Sequence, residues 1–364
     1  MSMMDAFSST YKEARAKFLA AAYNAGGNCV EYVEPGKGVH GEPLAMDVVR
    51  VGPVDSQHML MITSGCHGVE GYAGSAAQIM ALRDSALIKR LQTKRVALLL
   101  VHALNPYGFS YSRRVTAEHV DLNRNIVDFS RALPANADYR DMHPLLLPEM
   151  WPPAPDNLRA IELAIKNHGF RRFQEMVTGG QYEFPDGLFY GGNAPTWSHL
   201  TFLAVLRRVP LSVRKAAWID LHTGLGACGV GERIFTGGGS SDAESVARQW
   251  WGEITQTENE TAVSTKLTGQ LGGLVRGELA ERLVTSITLE FGTTAPVEVL
   301  HALRADAWAY RAETDAKQWR TQAAIAMKDA FLIDSPVWKE GVIEQSMATI
   351  EAAVKGLENY PTAA

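Results

Sequence analysis

Along the chain, short runs of apolar residues alternate with segments in which apolar residues recur at helical spacing. Seven runs that are rich in apolar and β-branched residues predict strands: 28–33, 44–51, 58–63, 95–103, 216–221, 233–236 and 284–291. A helical pattern at 72–91 connects the third run to the fourth. Because a strand–helix–strand unit of this spacing joins parallel strands, the pattern predicts an α/β fold whose sheet is at least partly parallel.

The middle of the chain follows a different pattern. Residues 128–155 are rich in Pro, Asp and aromatic residues, a helical pattern follows at 157–168, and residues 179–193 are rich in glycine. Irregular loops seldom extend so far without a function, so we interpret 128–193 as a long inserted loop region over one edge of the sheet. Helical patterns return at 196–207 and 241–255, and the segment from about 295 is mostly helical. The sequence thus predicts a single domain over residues 1–364.

Composition narrows the classes of function. The 364 residues are 46% hydrophobic and 21% charged, with a formal net charge of −5, and no basic stripe indicates a nucleic-acid partner. No window is apolar enough for a membrane span, and the helical pattern at 1–27 is interrupted by charges, unlike a signal peptide. Three cysteines do not form a disulfide framework. We therefore expect a cytoplasmic protein without nucleic-acid or membrane partners, and the pattern gives no oligomeric state.

Polar residues suited to catalysis or ligand binding follow the predicted strands at their carboxyl ends. In open α/β sheets these ends meet at one edge, where ligands bind, so residues distant in sequence are expected to converge. The candidates that follow or end the third, fourth, fifth and seventh runs are His67, Glu70, Arg113, Arg114, Asn123, Arg124, Asp220, His222 and Glu290.

Two histidines and a glutamate are the predicted metal ligands. Catalytic zinc commonly has three protein ligands and one open position, and two His with one Glu are a common set of ligands. His67 and Glu70 lie in a glycine-flanked turn, although a chain of this composition contains about one such His-x-x-acid match by chance. His222 strengthens the prediction, because Asp220 two residues earlier is suited to accept the second N–H of a metal-bound imidazole.

A glutamate and three arginines complete the predicted site. Glu290 is the lone acid in an apolar strand, where loss of hydration should raise its pKa, and this suits a general acid/base. A developing oxyanion and an anionic end of a substrate both need a fixed positive partner. Arg113, Arg114 and Arg124 occur within twelve positions, with Asn123 beside the last of them.

The order of these motifs resembles the zinc carboxypeptidase superfamily. The motifs are Gly-x-His-Gly-x-Glu, Asn-Pro-x-Gly, Arg, Asp-Leu-Asn-Arg, Asp-Leu-His-Thr and a late strand Glu, and they extend from about residue 65 to 293. The chain is especially similar to the branch that contains succinylglutamate desuccinylase and aspartoacylase, with related bacterial proteins of unassigned substrate. The resemblance implies a mixed, mostly parallel, twisted sheet of about eight strands with helices on both faces.

The resemblance also implies roles for individual residues. The three predicted ligands would bind one Zn²⁺ ion, and Glu290 would be the general acid/base. Arg114 would polarise the scissile carbonyl, with Arg113 as the alternative, and Asn123 and Arg124 would bind a substrate carboxylate. Carboxypeptidases also use a mobile tyrosine. No segment of the chain matches it, and Tyr190 (or Tyr182) in the glycine-rich stretch is the candidate substrate-binding tyrosine.

We therefore expect a zinc-dependent hydrolase of amide bonds that acts on a peptide or small molecule with a free carboxylate. It would be a carboxypeptidase that removes a C-terminal residue by means of a metal-activated water, or a deacylase of small N-acyl amino acids with the same site. Two alternatives remain open: a non-catalytic relative that binds zinc or a peptide, and a cysteine hydrolase that uses Cys66 with His67. Weaker candidate ligands are His102, His119 and His143.

Overall fold

A seven-stranded mixed sheet forms the centre of the computed structural model, which describes residues 3–311 and 316–361. The strands in chain order are β1 (Asn28–Lys37), β2 (Pro43–Val51), β3 (His58–Ser64), β4 (Val96–His102), β5 (Lys215–Cys228), β6 (Gly231–Gly237) and β7 (Leu283–Gly292). Their spatial order is β1-β2-β4-β3-β5-β7-β6. The central strands β4, β3, β5 and β7 run parallel, whereas β1, β2 and β6 pair antiparallel.

The predicted α/β class and mixed sheet are confirmed, and all seven predicted runs form strands. The described residues contain seven strands rather than about eight. Strand β4 is buried at every position, as expected for a parallel strand covered on both faces. Edge strand β1 is mostly exposed, so its short apolar run could be recognised only by its β-branched residues and the turn that follows.

Helices cover both faces of the sheet. In chain order they are α1 (Tyr11–Asn24), α2 (Gly71–Arg83), α3 (Ser85–Lys94), α4 (Pro106–Tyr111), α5 (Ala137–Leu146), α6 (Pro155–His168), α7 (Phe170–Thr178), α8 (Trp197–Arg207), α9 (Ala243–Trp251), α10 (Leu271–Glu278), α11 (Pro296–Arg311), α12 (Ala316–Phe331) and α13 (Pro336–Glu358). The helical segment expected from about 295 corresponds to the last three, and residues 312–315 within it lie outside the described residues.

The predicted helix at 72–91 is two helices. Asp84 has an extended backbone (φ −78°, ψ 96°) and its carboxylate accepts the N–H groups of Ala86 and Leu87, which caps α3. An aspartate offers this local alternative to continued helix, so the apolar periodicity continues across a break.

Two hydrophobic cores lie on opposite faces of the sheet. The larger contains buried side chains of α1, α2, α3, α9 and α13, and the smaller contains those of α8 and α10 around Trp218 and Met61. The face of β5 that carries Trp218 also carries Asp220 and His222, because alternate strand residues share a face. The smaller core therefore borders the predicted site.

Residues 128–193 contain α5, α6 and α7, joined by loops. Side chains of α6 and α7 line a cavity that also contains His67 and His222, so this segment covers the carboxyl ends of the central strands. In the part of the chain that the structure describes, no helix is long and apolar enough to cross a lipid bilayer.

Candidate metal centre and its cavity

A tight turn after β3 presents His67 and Glu70. A Cβ on Gly68 would lie 1.9 Å from the carbonyl carbon of Gly108, so the turn can pack against α4 only with glycine at this position. The N–H of Val69 donates to the carbonyl oxygen of Arg113, in the segment that follows α4, at 2.9 Å. Backbone contacts thus fix the turn independently of any bound ligand.

The structure brings His67, Glu70 and His222 together, although His222 follows them by about 150 residues. Nδ1 of His67 lies 2.8 Å from Oε1 of Glu70, and Nδ1 of His222 lies 2.9 Å from Oε2 of the same carboxylate. The two imidazole centroids are 4.9 Å apart. All three side chains are buried, and one potential ligand atom of each lies within 4.8 Å of the other two.

A carboxylate also faces the outer nitrogen of each imidazole. Nε2 of His222 is 2.8 Å from Asp220, and Nε2 of His67 is 3.3 Å from Asp121. An imidazole that donates Nε2–H to a carboxylate has, when neutral, a lone pair at Nδ1. Both lone pairs would then point at the anionic Glu70, an arrangement that a shared cation stabilises. The donor set and its backing carboxylates therefore fit a metal ion of the zinc type.

The pKa values follow from this concentration of charge. Burial would raise the pKa of Glu70, but His67 and His222 lower it well below its usual range. Burial would lower the pKa of His222, but the carboxylates of Asp220 and Glu70 raise it well above its ordinary value. The centre is therefore built of ionised carboxylates around two imidazoles.

Glu290 lies on β7 directly opposite His222 of β5 in the strand register. Its Oε1 accepts the N–H of Leu225 at 3.0 Å, and its side chain lines the cavity. Burial first, and then the charge of Glu70, raises the pKa of Glu290 to about 7. A carboxyl group with this pKa can take and return a proton near neutral pH.

Arg114 faces the centre. Its Nε donates to Asp121 at 2.9 Å, and its Nη1 lies 3.5 Å from Oε1 of Glu70. It lines the cavity, so its remaining N–H groups are next to the space where a substrate carbonyl would lie. Asp121 thus supports both Arg114 and His67.

Arg113, the alternative to Arg114, points away from the metal ligands. Its guanidinium binds the carboxylate of Asp306, with Nε 2.9 Å from one oxygen, and lies over the ring of Tyr310 at 3.4 Å. Of these two neighbouring arginines, Arg114 faces the cavity, whereas the guanidinium of Arg113 is held by Asp306.

Asn123 and Arg124 line the same cavity. Nε and Nη2 of Arg124 donate to the carbonyl oxygen of Thr178, at 3.0 and 2.6 Å, and Nη1 donates to the carbonyl oxygen of Asn123. Each terminal nitrogen therefore keeps one N–H for a ligand. Burial lowers the pKa of Arg124 to about 10, still high enough for a positive charge at neutral pH.

The structure does not bring Tyr190 or Tyr182 to the cavity wall. The Tyr190 side chain is buried elsewhere, and its backbone carbonyl oxygen accepts the N–H of Asp121 at 2.8 Å. The Tyr182 hydroxyl donates to the carbonyl oxygen of Arg124 at 2.6 Å. Both tyrosines therefore help to position site residues rather than facing the cavity.

Cys66 is completely buried, and burial raises the pKa of its thiol well above the ordinary value. This is the opposite of what an activated nucleophile needs. Its sulfur lies within 4.8 Å of ligand atoms of Asp220 and His222, which forms a second, overlapping donor set. The weaker candidate ligands lie apart from the centre, packed against other side chains: His102, His119 and His143.

The cavity beside these residues has a volume of about 530 Å³. Its floor is the face of β5, β7 and β6 that carries Trp218 and Thr288, and its opposite wall is α7 with Phe173 and Val177. Phe189, from the loop before α8, has a φ of +54°, a conformation that a bulky residue rarely adopts. Its ring lies 5.1 Å from the Arg114 guanidinium and 5.4 Å from that of Arg124.

Sequence reasoning missed the roles of Asp121 and Phe189. Asp121 stands in the quoted Asp-Leu-Asn-Arg motif, so the signal was available. Nothing in the sequence marks Phe189, because its position depends on how the 128–193 segment folds over the strands.

A family model described as "Protein of unknown function (DUF2817)" matches residues 7–345. The chain belongs to this DUF2817 family. No curated protein matches the chain in sequence.

Solved structures similar to this DUF2817 member include metallocarboxypeptidases. Carboxypeptidase A from Helicoverpa armigera has a TM-score of 0.46 at 14% identity, over 90% of this chain and 75% of that one. Bovine thrombin-activatable fibrinolysis inhibitor has a TM-score of 0.46 at 12% identity, over 90% and 98% of the chains. An aspartoacylase family protein from Mesorhizobium loti has a TM-score of 0.36 at 17% identity, over 78% and 67%. These likenesses concern the fold alone.

Proposed function

We propose that the protein is a zinc-dependent hydrolase of amide bonds that removes a C-terminal residue in the manner of a carboxypeptidase. One observation carries the proposal: Nδ1 of His67 and Nδ1 of His222 converge on Glu70 while a carboxylate faces the outer nitrogen of each ring. Two neutral imidazoles and a carboxylate are a common ligand set of catalytic zinc, and the backing carboxylates fix the imidazole tautomers that such a site needs.

The bound zinc ion would supply Lewis acidity to a substrate carbonyl and would acidify a water molecule. Glu290 takes the proton of the attacking water at its carboxylate and returns it to the leaving amine. Its pKa of about 7 makes both transfers favourable near neutral pH. Arg114 stabilises the oxyanion with its free N–H groups, and its bond to Asp121 fixes the guanidinium before the substrate binds.

Asn123 and Arg124 would bind the carboxylate of the leaving residue. The guanidinium is held by the Thr178 carbonyl oxygen, so little side-chain freedom is lost when a carboxylate binds. An amide substrate anchored here presents its scissile bond to Glu290 and Arg114, which line the same cavity.

A deacylase of small N-acyl amino acids is the second candidate, with the same residues in the same roles. The specific observation in its favour is the wall formed by α6 and α7 opposite the sheet. A cavity of about 530 Å³ matches the size of sites that enclose small molecules.

Metal analysis and a substrate panel test the proposal together. Purified protein should contain about one zinc per chain, should lose activity on chelation, and should recover it with added zinc. Peptides with free and amidated C-termini, tested beside N-acyl amino acids, should show cleavage only where a free carboxylate is present. Activity that survives exhaustive chelation would contradict the proposal and favour the cysteine mechanism.

Cys66→Ser provides the matched control. Because the Cys66 thiol is buried and protonated, this variant should keep both its zinc and its activity. Loss of activity with normal zinc content and an unchanged melting temperature would support a cysteine nucleophile instead.

A further inference from the structure

Arg276 places a positive charge in the wall of the cavity, and the proposed mechanism gives this charge no role. It belongs to α10 and lines the cavity together with Trp218. A Cβ added to Gly272 would lie 2.9 Å from Nη1 of Arg276 and 3.5 Å from the indole, and a Cβ added to Gly237 would lie 2.9 Å from its Cδ. Two glycines thus leave the space that this side chain occupies.

This charge is separated from Glu290 along the floor of the cavity. Nη1 of Arg276 donates to the carbonyl oxygen of Thr236, whose hydroxyl bonds to Ser286 on β7. Ser286 precedes Glu290 by four residues on the same strand, which is about 13 Å of extended chain. A substrate between Glu290 and Arg276 would therefore extend along the floor of the cavity.

In the part of the chain that the structure describes, no ion pair neutralises the guanidinium of Arg276. Among residues 3–311 and 316–361 no carboxylate forms a salt bridge with it, and of its N–H donors only Nη1–H has a bond, to Thr236. The nearby lining acids are occupied or exposed: Glu244 accepts two bonds from Arg248, and Glu258 is exposed to solvent. A planar fork with free donors suits a carboxylate, which it can bind through two parallel bonds.

We propose that Arg276 forms a subsite for a carboxylate at the end of the substrate's side chain, so that the preferred leaving residue is acidic. The proposal rests on the proposed function, because it takes the leaving residue to be anchored by Asn123 and Arg124. Asn123 accepts the N–H of Leu271, the first residue of α10, at 2.8 Å. Asn123 is therefore tied to the first residue of α10, and Arg276 lies five residues further along the same helix, about 7.5 Å of axial rise. In the proposed subsite, the two carboxylates of one acidic amino acid span these two groups.

The experiment compares N-acyl-glutamate with N-acyl-glutamine, which have nearly the same shape and differ by one charge. Calorimetry on the zinc-loaded full-length protein measures affinity, and kcat/KM is measured for the same pair. The wild type should prefer the glutamate ligand. Arg276→Gln should weaken glutamate binding by about 10- to 100-fold, the range for a lost charge-assisted hydrogen bond, and should weaken glutamine binding much less, because the side-chain amide of that ligand carries no charge.

Arg207→Gln is the matched control, because it removes the same charge from an exposed arginine that pairs with Glu278 of α10. It should preserve the preference for glutamate. Arg276→Lys, which keeps the charge but not the fork, should give an intermediate affinity. A melting temperature of Arg276→Gln equal to that of the wild type shows that the variant is folded.

Each outcome separates the subsite from the proposed function. An unchanged glutamate-to-glutamine ratio in Arg276→Gln overturns the subsite, and so does a wild type that binds neither ligand. Hydrolysis without preference for acidic residues overturns the subsite and keeps the hydrolase. Selective binding of glutamate without hydrolysis of any panel member keeps the subsite and overturns the hydrolase.

Discussion

At the scale of single residues, the centre is organised by carboxylates that do not themselves belong to the proposed ligand set. Asp220 and Asp121 face the outer nitrogens of the two imidazoles, and Thr63 donates to Asp220 at 2.5 Å. The hydrogen bond between His222 and Asp220 fixes the tautomer of that imidazole, and the tautomer determines whether the Nδ1 that faces Glu70 carries a lone pair. Glu290 has a different environment, in which burial raises the pKa of the carboxyl group so that it can hold a proton near neutral pH.

Glu290→Gln should reduce kcat by about 10²- to 10⁴-fold, the usual contribution of a general acid/base, because an amide cannot carry the proton. Zinc content should stay at the wild-type value, since Glu290 is not among the proposed ligands. In the wild type, kcat/KM should rise with pH through a midpoint at or below about 7, because the ionised form accepts the proton and a bound cation favours ionisation. Near-normal turnover of Glu290→Gln would remove Glu290 from the mechanism.

At the scale of elements, the ligand turn and the edge strand depend on specific packing. Gly68 must have no side chain, because a Cβ there would overlap the backbone of α4. Strand β1 is tied to the start of α4 through Glu34, whose carboxylate accepts the N–H of Tyr107 at 3.0 Å. In both contacts, α4 is held by a specific residue of a neighbouring segment: Gly68 of the ligand turn and Glu34 of β1.

Gly68→Ala should lower the free energy of unfolding by about 3 kcal/mol or more and reduce zinc content, because backbone atoms cannot move aside as a flexible side chain can. Gly277→Ala is the control. This glycine is in α10 with nothing near its added Cβ, so alanine should stabilise the protein by up to about 1 kcal/mol. Denaturant melts and metal analysis of both variants check the expectation, and a fully stable Gly68→Ala with normal zinc would refute it.

Glu34 should make the protein less stable as the pH rises. Burial, followed by the charge of Glu118, raises its pKa to about 8, whereas in the unfolded chain the value is near 4.5. Between these values the unfolded state releases the proton and the folded state keeps it, so stability falls by at most about 1.4 kcal/mol per pH unit. Glu34→Gln should remove this slope and be the more stable form above pH 8. Parallel pH profiles in urea test this, and equal slopes would contradict it.

The sequence predicted the elements better than it predicted the site's walls. Seven apolar runs gave seven strands because burial of a central sheet imposes a pattern on each strand separately. The break at Asp84 was missed, since a cap depends on one residue rather than on periodicity. The choice between Arg113 and Arg114 stayed open because they are neighbours in sequence, and Phe189 and Arg276 gave no signal because tertiary packing alone brings them to the cavity.

At the scale of the whole molecule, the proposed centre joins segments that are far apart in the chain. His67 and Glu70 follow β3, whereas His222 lies within β5, and the cavity wall comes from the 128–193 segment. Without a cation, the carboxylates and the two imidazoles share one buried space, where their loss of hydration costs free energy. A metal ion that binds only the folded arrangement therefore adds its binding free energy to the stability of the entire fold.

Zinc should consequently raise the melting temperature of the chelated protein, with about 2.7 kcal/mol of added stability when free zinc is 100-fold above its Kd. His222→Ala should abolish most of this rise, because one of the three converging ligands is lost. His168→Ala, at an exposed position near the end of α6, should keep the full rise, which separates the proposed centre from zinc bound to surface histidines. An equal response of both variants would place the stabilising ion elsewhere, because the two substitutions differ in whether they touch the buried donor set.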